Sequence, residues 1–122
     1  MEFDIAPYVE IRNALGLRGV KCGVDGRHQI TVSIQDHAIW PHAGNSFWIT
    51  RATGNWHLFT WAPVGYRVPD EVDMAELCLR CMAIGGNSAM SKMPDGIHAE
   101  FGLTELSDDD AEVVYTAMEM AR

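Results

Sequence analysis

Between Phe47 and Trp61 the chain carries Phe47, Trp48, Ile49, Trp56, Leu58, Phe59 and Trp61, broken by a short polar stretch around Thr53 and Gly54. Two aromatic and β-branched runs joined by a Gly-bearing connection predict a hairpin. Loop length then decides which residues share a face. A two-residue loop at Thr53 and Gly54 puts Trp48, His57, Phe59 and Trp61 on one side and Phe47, Ile49, Trp56 and Leu58 on the other. A three-residue loop groups Phe47, Ile49, His57, Phe59 and Trp61 against Trp48, Trp56 and Leu58. Either register turns large rings both ways. The sheet must therefore be covered on both faces, by the chain or by a second copy of it, or else offer one aromatic face to a partner.

The rest of the chain supplies the material for that cover. In "DIAPYVEIRNALG" the spacing of Ile5, Tyr8, Ile11 and Leu15 predicts a short amphipathic helix, with Asp4 as N-cap, Pro7 in the first turn and Gly16 as the stop. From Gly19 the period falls to two. "GVKCGV" and "HQITVSI", joined by "DGR", predict a first hairpin, and "DHAIWPHAGN" reads as the loop that leads into the aromatic one. "YRV" is a short fifth strand. "PDEVDMAELCLRCMAIGG" is helical, with Asp70 as N-cap, Asp73 as the capping-box acid, Gly85 as the stop and a stripe of Met74, Leu77, Cys78, Cys81 and Ile84. "SDDDAEVVYTAMEMAR" starts on Ser107, complements the helix dipole with Asp108, Asp109 and Asp110, and turns Ala111, Val114, Tyr115 and Met118 inward. "IHAEFGL" between them reads as a helical turn or an irregular segment. The order predicts one α+β domain spanning residues 1–122: a four- to five-stranded antiparallel meander, preceded by one short helix and followed by two helices packing on one sheet face.

Charge narrows the partners. Nine Lys and Arg stand against 17 Asp and Glu, a net charge of -8, and no basic stripe offsets it. Phosphate backbones are repelled by such a body while basic proteins are steered to it, so nucleic acid is not an expected partner. No apolar run approaches the roughly 20 residues of a membrane-spanning helix, so no membrane partner is expected either. The acids in "MEFDIAPYVE" do not suit a secretory leader, and three cysteines, an odd count, fit free thiols. A cytoplasmic protein is the expectation.

The chemical signals are weak ones. Cys78 and Cys81 share the spacing of a redox or zinc half-site, but they sit mid-stripe with Leu77, so they read as core cysteines. Cys22 reads as an ordinary strand residue. Asp36, His37 and His42 crowd one loop without the His-x-His or His-x-x-x-His spacing that aims two imidazoles at a metal. "AIGGNSAMSK" follows a helix C-terminus, which presents carbonyls and not the N–H groups a phosphate needs. No metal, cofactor or catalytic residue is assigned.

The leading expectation is a non-catalytic binding protein that recognises a protein partner, a basic one for an immunity- or regulator-like domain. Its contact region is an aromatic sheet face and the adjacent loop: Trp40, His42, Trp48, His57, Trp61, Tyr66 and Arg67. Two alternatives stand beside it. One is a small enzyme or small-molecule site with an aromatic-walled pocket and His57 or His42 as acid or base; the other is a homodimer whose aromatic face is its own interface.

Overall fold

Alternation of period two becomes a sheet whose strands follow one another in chain order. The structure, a computed structural model, describes residues 6–18, 31–33, 38–42, 47–60, 64–82 and 93–121. Its elements are α1 (Ala6–Leu17), β1 (Thr31–Ser33), β2 (Ala38–His42), β3 (Phe47–Thr50), β4 (His57–Phe59), β5 (Gly65–Arg67), α2 (Met74–Met82), α3 (Asp95–Phe101), β6 (Thr104–Glu105) and α4 (Asp108–Ala121). All six strands pair antiparallel in the order β1-β2-β3-β4-β5-β6. The α+β class and the meander are as the sequence predicts; a short β6 and an additional helix, α3, extend them.

The central hairpin adopts the even register. Trp48 lies opposite Phe59, Ile49 opposite Leu58 and Thr50 opposite His57. This is the pairing centred on Thr53 and Gly54, although the ladder stops at Thr50 and leaves residues 51–56 as the loop. Gly54 takes φ 92° there, a left-handed conformation that suits glycine, and its N–H bonds the Arg51 carbonyl at 2.9 Å. Because β5 sets Tyr66 opposite Leu58 and Arg67 opposite His57, the two faces can be named. One holds Phe47, Ile49, Leu58 and Tyr66; the other holds Trp48, Thr50, His57, Phe59 and Arg67.

Rings on both faces need two covers, and the helices divide accordingly. Tyr8, Ile11 and Leu15 of α1, Leu77, Cys78 and Cys81 of α2 and Ile97 of α3 join Phe47, Ile49, Leu58 and Tyr66 in one buried cluster. The other face receives α4, whose Tyr115 ring lies 5.2 Å from that of Phe59 and 6.5 Å from that of Trp48. The expectation that both C-terminal helices pack on one face is thus corrected: α2 takes the first face and α4 the second, because Trp48 and Phe59 would otherwise stand in water.

Local chemistry places each helix. Tyr8 packs edge-on against Trp56 at 5.3 Å, and its hydroxyl accepts the Arg51 N–H at 2.8 Å, pinning α1 to the hairpin loop. Asp73, not Asp70, caps α2: its Oδ1 accepts from the N–H groups of Ala75 and Glu76 at 3.0 and 3.3 Å. A turn closed by Val72 N–H on the Pro69 carbonyl comes first, and Asp70 faces Arg67 instead. Arg18 reaches from the end of α1 to Asp73 and Glu76, joining the two helices at 2.9 and 3.5 Å. Ser107 Oγ accepts the Asp110 N–H at 3.2 Å, as its capping role requires. "IHAEFGL" resolves into α3, ended by Gly102 at φ 65°.

The segment read as a loop around "AIWPH" is strand β2. A strand containing Pro41 loses a ladder donor, and the structure absorbs that loss with a register shift between Ile39 and His42. The strand expected at "GVKCGV", its turn, and the helix-end residues Asp4, Ile5, Ile84 and Gly85 lie outside the described residues.

Two stability predictions follow from close contacts. A Cβ on Gly65 would sit 2.6 Å from Cε1 of Phe59 and 2.9 Å from Cδ1 of Leu106. Phe59 is fully buried and stacked on Trp48 at 4.5 Å, so it has no room to yield. Gly65→Ala should cost about 1–3 kcal/mol in urea denaturation, and an unchanged midpoint would contradict the packing. Tyr8→Phe removes the acceptor of the Arg51 N–H and should cost about 1 kcal/mol in the same measurement.

Candidate functional site

Antiparallel pairing sets side chains from successive strands in a row. His57 lies opposite Arg67, and Arg67 opposite Thr104, so the three cross the sheet together on the face that α4 covers. The cover is incomplete at this end. An open cleft of about 410 Å³ remains, lined by Thr53 and Asn55 of the hairpin loop, His57, Arg67, Thr104 and Glu105 of the strands, Leu106, and Asp110, Val113 and Val114 of α4.

His57 is its most constrained polar group. The residue is only 6% exposed, and its Nδ1 lies 3.2 Å from the Asn55 carbonyl oxygen. A carbonyl only accepts, so this bond requires the proton on Nδ1 and leaves Nε2 with its lone pair. Burial lowers the imidazole pKa; the Asn55 carbonyl opposes this by holding the ring N–H, and the Arg67 charge adds to the lowering. Near neutral pH His57 is therefore an uncharged acceptor. Arg67 is directed elsewhere: Nη1 donates to the Val68 carbonyl and Nη2 lies 3.5 Å from Asp70. Asp110 adds a carboxylate at the cleft, while Leu106, Val113 and Val114 make an apolar wall; Glu105, opposite Tyr66, belongs by register to the other face.

The residues singled out in the sequence scatter over this frame. His57 and Arg67 meet across β4 and β5. Trp48 shares their face but is half-buried, its ring stacked on Phe59. Tyr66 turns to the opposite face and is 1% exposed, its hydroxyl accepting the Met93 N–H at 3.2 Å and its ring edge-on to His98 at 5.6 Å. It belongs to the core, since a ring so enclosed has no surface left for a partner. Trp40 and His42 are on β2, opposite Thr31 and Phe47. Trp61 lies outside the described residues.

Sequence reading missed Thr53, Asn55, Thr104, Glu105, Leu106 and Val113 as cleft residues. They come from a loop, a two-residue strand and a helix, and no local pattern links them. Asp110 was visible only as a dipole-complementing acid, a role it also keeps.

Cys78 and Cys81 are core residues. They are enclosed with Leu77, and burial pushes both thiols up, Cys81 to about 12. The Cys81 thiol points at the Met93 sulfur, 4.0 Å away. Such groups stay protonated and unreactive at neutral pH. Among the described residues no three His, Cys, Asp or Glu side chains gather as a metal site would require. Cys22, Asp36 and His37 lie outside them. The chain matches no protein-family model, no curated protein and no solved structure.

The lowered pKa of His57 fixes the sign of a pH effect. Above the unfolded value of about 6.5 neither state binds the proton and stability is unaffected; as pH falls below it the unfolded chain takes up the proton first, and stability declines until the folded ring also titrates. Chemical denaturation from pH 7.5 down to 5 should show this loss, and His57→Gln should remove the imidazole's share of it. Identical pH profiles for the two proteins would contradict a neutral, buried His57.

Proposed function

We propose that this protein is a non-catalytic binding domain that receives a basic protein segment on the outer face of α4. The observation that carries the reading is where apolar surface is left over. Phe47, Trp48, Phe59 and Tyr66 of the sheet are spent on the two covered faces, whereas Val113 at 61% and Met120 at 73% remain exposed on α4. With Ala117 they follow helical spacing along one stripe, and a shallow groove runs between them, Asp109, Glu112 and Thr116. Acids surround the stripe: Asp108, Asp109, Asp110, Glu112 and Glu119, with no Lys or Arg among the described residues of α4.

An apolar stripe with an acidic rim is complementary to an amphipathic segment with a basic rim. The chain's net charge of -8 steers such a partner and repels a second copy of itself. The contact surface is thus moved from the aromatic sheet face to the helix that covers it, while the class of partner stays as the charge first implied.

The reading is tested with a synthetic amphipathic helix of Leu and Lys, titrated into isotope-labelled protein and followed by NMR, beside a Leu and Glu counterpart. The Lys peptide should shift resonances of Val113, Ala117 and Met120 and lose affinity with salt, and the Glu peptide should not bind. Val113→Asp with Met120→Asp should weaken binding at least about tenfold. Leu17→Asp, at a large apolar side chain that is 91% exposed on α1, should leave binding intact. Equal loss in both variants, or shifts spread evenly over the surface, would overturn the reading.

A further inference from the structure

We infer that the cleft beside α4 is a receptor for the side chain of a lysine or arginine: a cationic head on an aliphatic stem, supplied by the basic segment of the preceding proposal, on which this inference rests. The argument is one of donors and acceptors. His57 is more than nine-tenths buried, its Nδ1–H is committed to the Asn55 carbonyl, and its Nε2 has no hydrogen-bond partner among the described residues. That nitrogen is not sealed in the protein, and the ring lines the cleft. It can only accept. Asp110, the carboxylate that α4 brings to the lining, also only accepts.

A guest that satisfies the His57 nitrogen and the Asp110 carboxylate brings donors to both, and one that also offsets the carboxylate charge is an ammonium or a guanidinium. An anionic guest would look for Arg67, but that guanidinium is turned to the Val68 carbonyl and to Asp70. The lining also suits the rest of the side chain. Leu106, Val113 and Val114 present the apolar surface along which a methylene stem lies while its charge stays among polar groups. Val113 belongs both to this cleft and to the groove on the outer face of α4. A segment seated on the helix therefore has a pocket at its flank for one basic side chain.

The test separates this inference from the one it rests on. Nα-acetyl-arginine methylamide and Nα-acetyl-lysine methylamide are titrated into the whole protein while the His57 ring nitrogens are followed by NMR, with the citrulline and norleucine analogues as uncharged controls. The cations should shift the Nε2 resonance at millimolar concentration, and the uncharged analogues should bind at least about fivefold more weakly. Asp110→Asn, at an exposed position, should weaken the cations about fivefold and leave the fold unchanged. His57→Gln keeps a side-chain acceptor and should retain part of the binding.

If the citrulline analogue binds as well as arginine, or if Asp110→Asn has no effect, the cleft does not read positive charge and the inference is overturned. If the Lys peptide maps to Val113 and Met120 while the monomeric cations leave His57 unmoved, the partner surface stands and the cleft inference falls. If the cations bind and the peptide does not, the cleft is a cation site and the partner reading falls.

Discussion

The structure depends on one pairing. Once Trp48 stands opposite Phe59 and Ile49 opposite Leu58, the hairpin has committed large apolar side chains to both faces of the sheet. Exposing either set would cost on the order of 1.5–3 kcal/mol per ring or branched side chain. The division of helices is the response to that cost. Three helices close over Ile49 and Leu58, and α4 brings Tyr115 over Phe59 and Trp48. Gly65 belongs to the same solution, for it leaves beside the Phe59 ring the space that a Cβ would occupy.

The site follows from what this second cover does not reach. Across β4, β5 and β6, His57, Arg67 and Thr104 lie in a row where α4 begins, and an opening remains between them and the helix. An imidazole held on one nitrogen by the Asn55 carbonyl and kept neutral by burial gives that opening its chemical character. The acids at the start of α4 serve the helix and the opening together. They offset the exposed N–H groups of the first turn, and Asp110 also reaches the cleft.

Much of the fold was legible because its signals are periodic. Tyr8, Ile11 and Leu15 mark α1 by helical spacing, Leu77, Cys78 and Cys81 mark α2, and Ser107 marks the start of α4. Where two residues of one type compete, pattern alone fails. Asp70 and Asp73 both resemble caps, and the Pro69 turn that gives the role to Asp73 is a matter of backbone geometry. Pro41 disfavours a strand by propensity, and a local shift of register accommodates it in the segment read as a loop. The division of the helices between faces depends on the register, which composition cannot choose. Of the cleft, His57 and Arg67 were visible as unusual residues on a strand, but their partners come from segments far apart in the chain, joined only by the pairing of β5 with β6.

The unequal covers of the sheet bear on how binding and folding communicate. Among the described residues, one side is covered by three helices knitted to each other by Arg18, Asp73, Arg80 and Glu100, while the other is covered by α4, whose outer surface is the proposed seat of the partner. A body that presses on α4 presses it onto Trp48 and Phe59 as well. Were that proposed seat occupied, hydrogen exchange along the face under α4 would slow, and the interior beneath the helix would report the bound state.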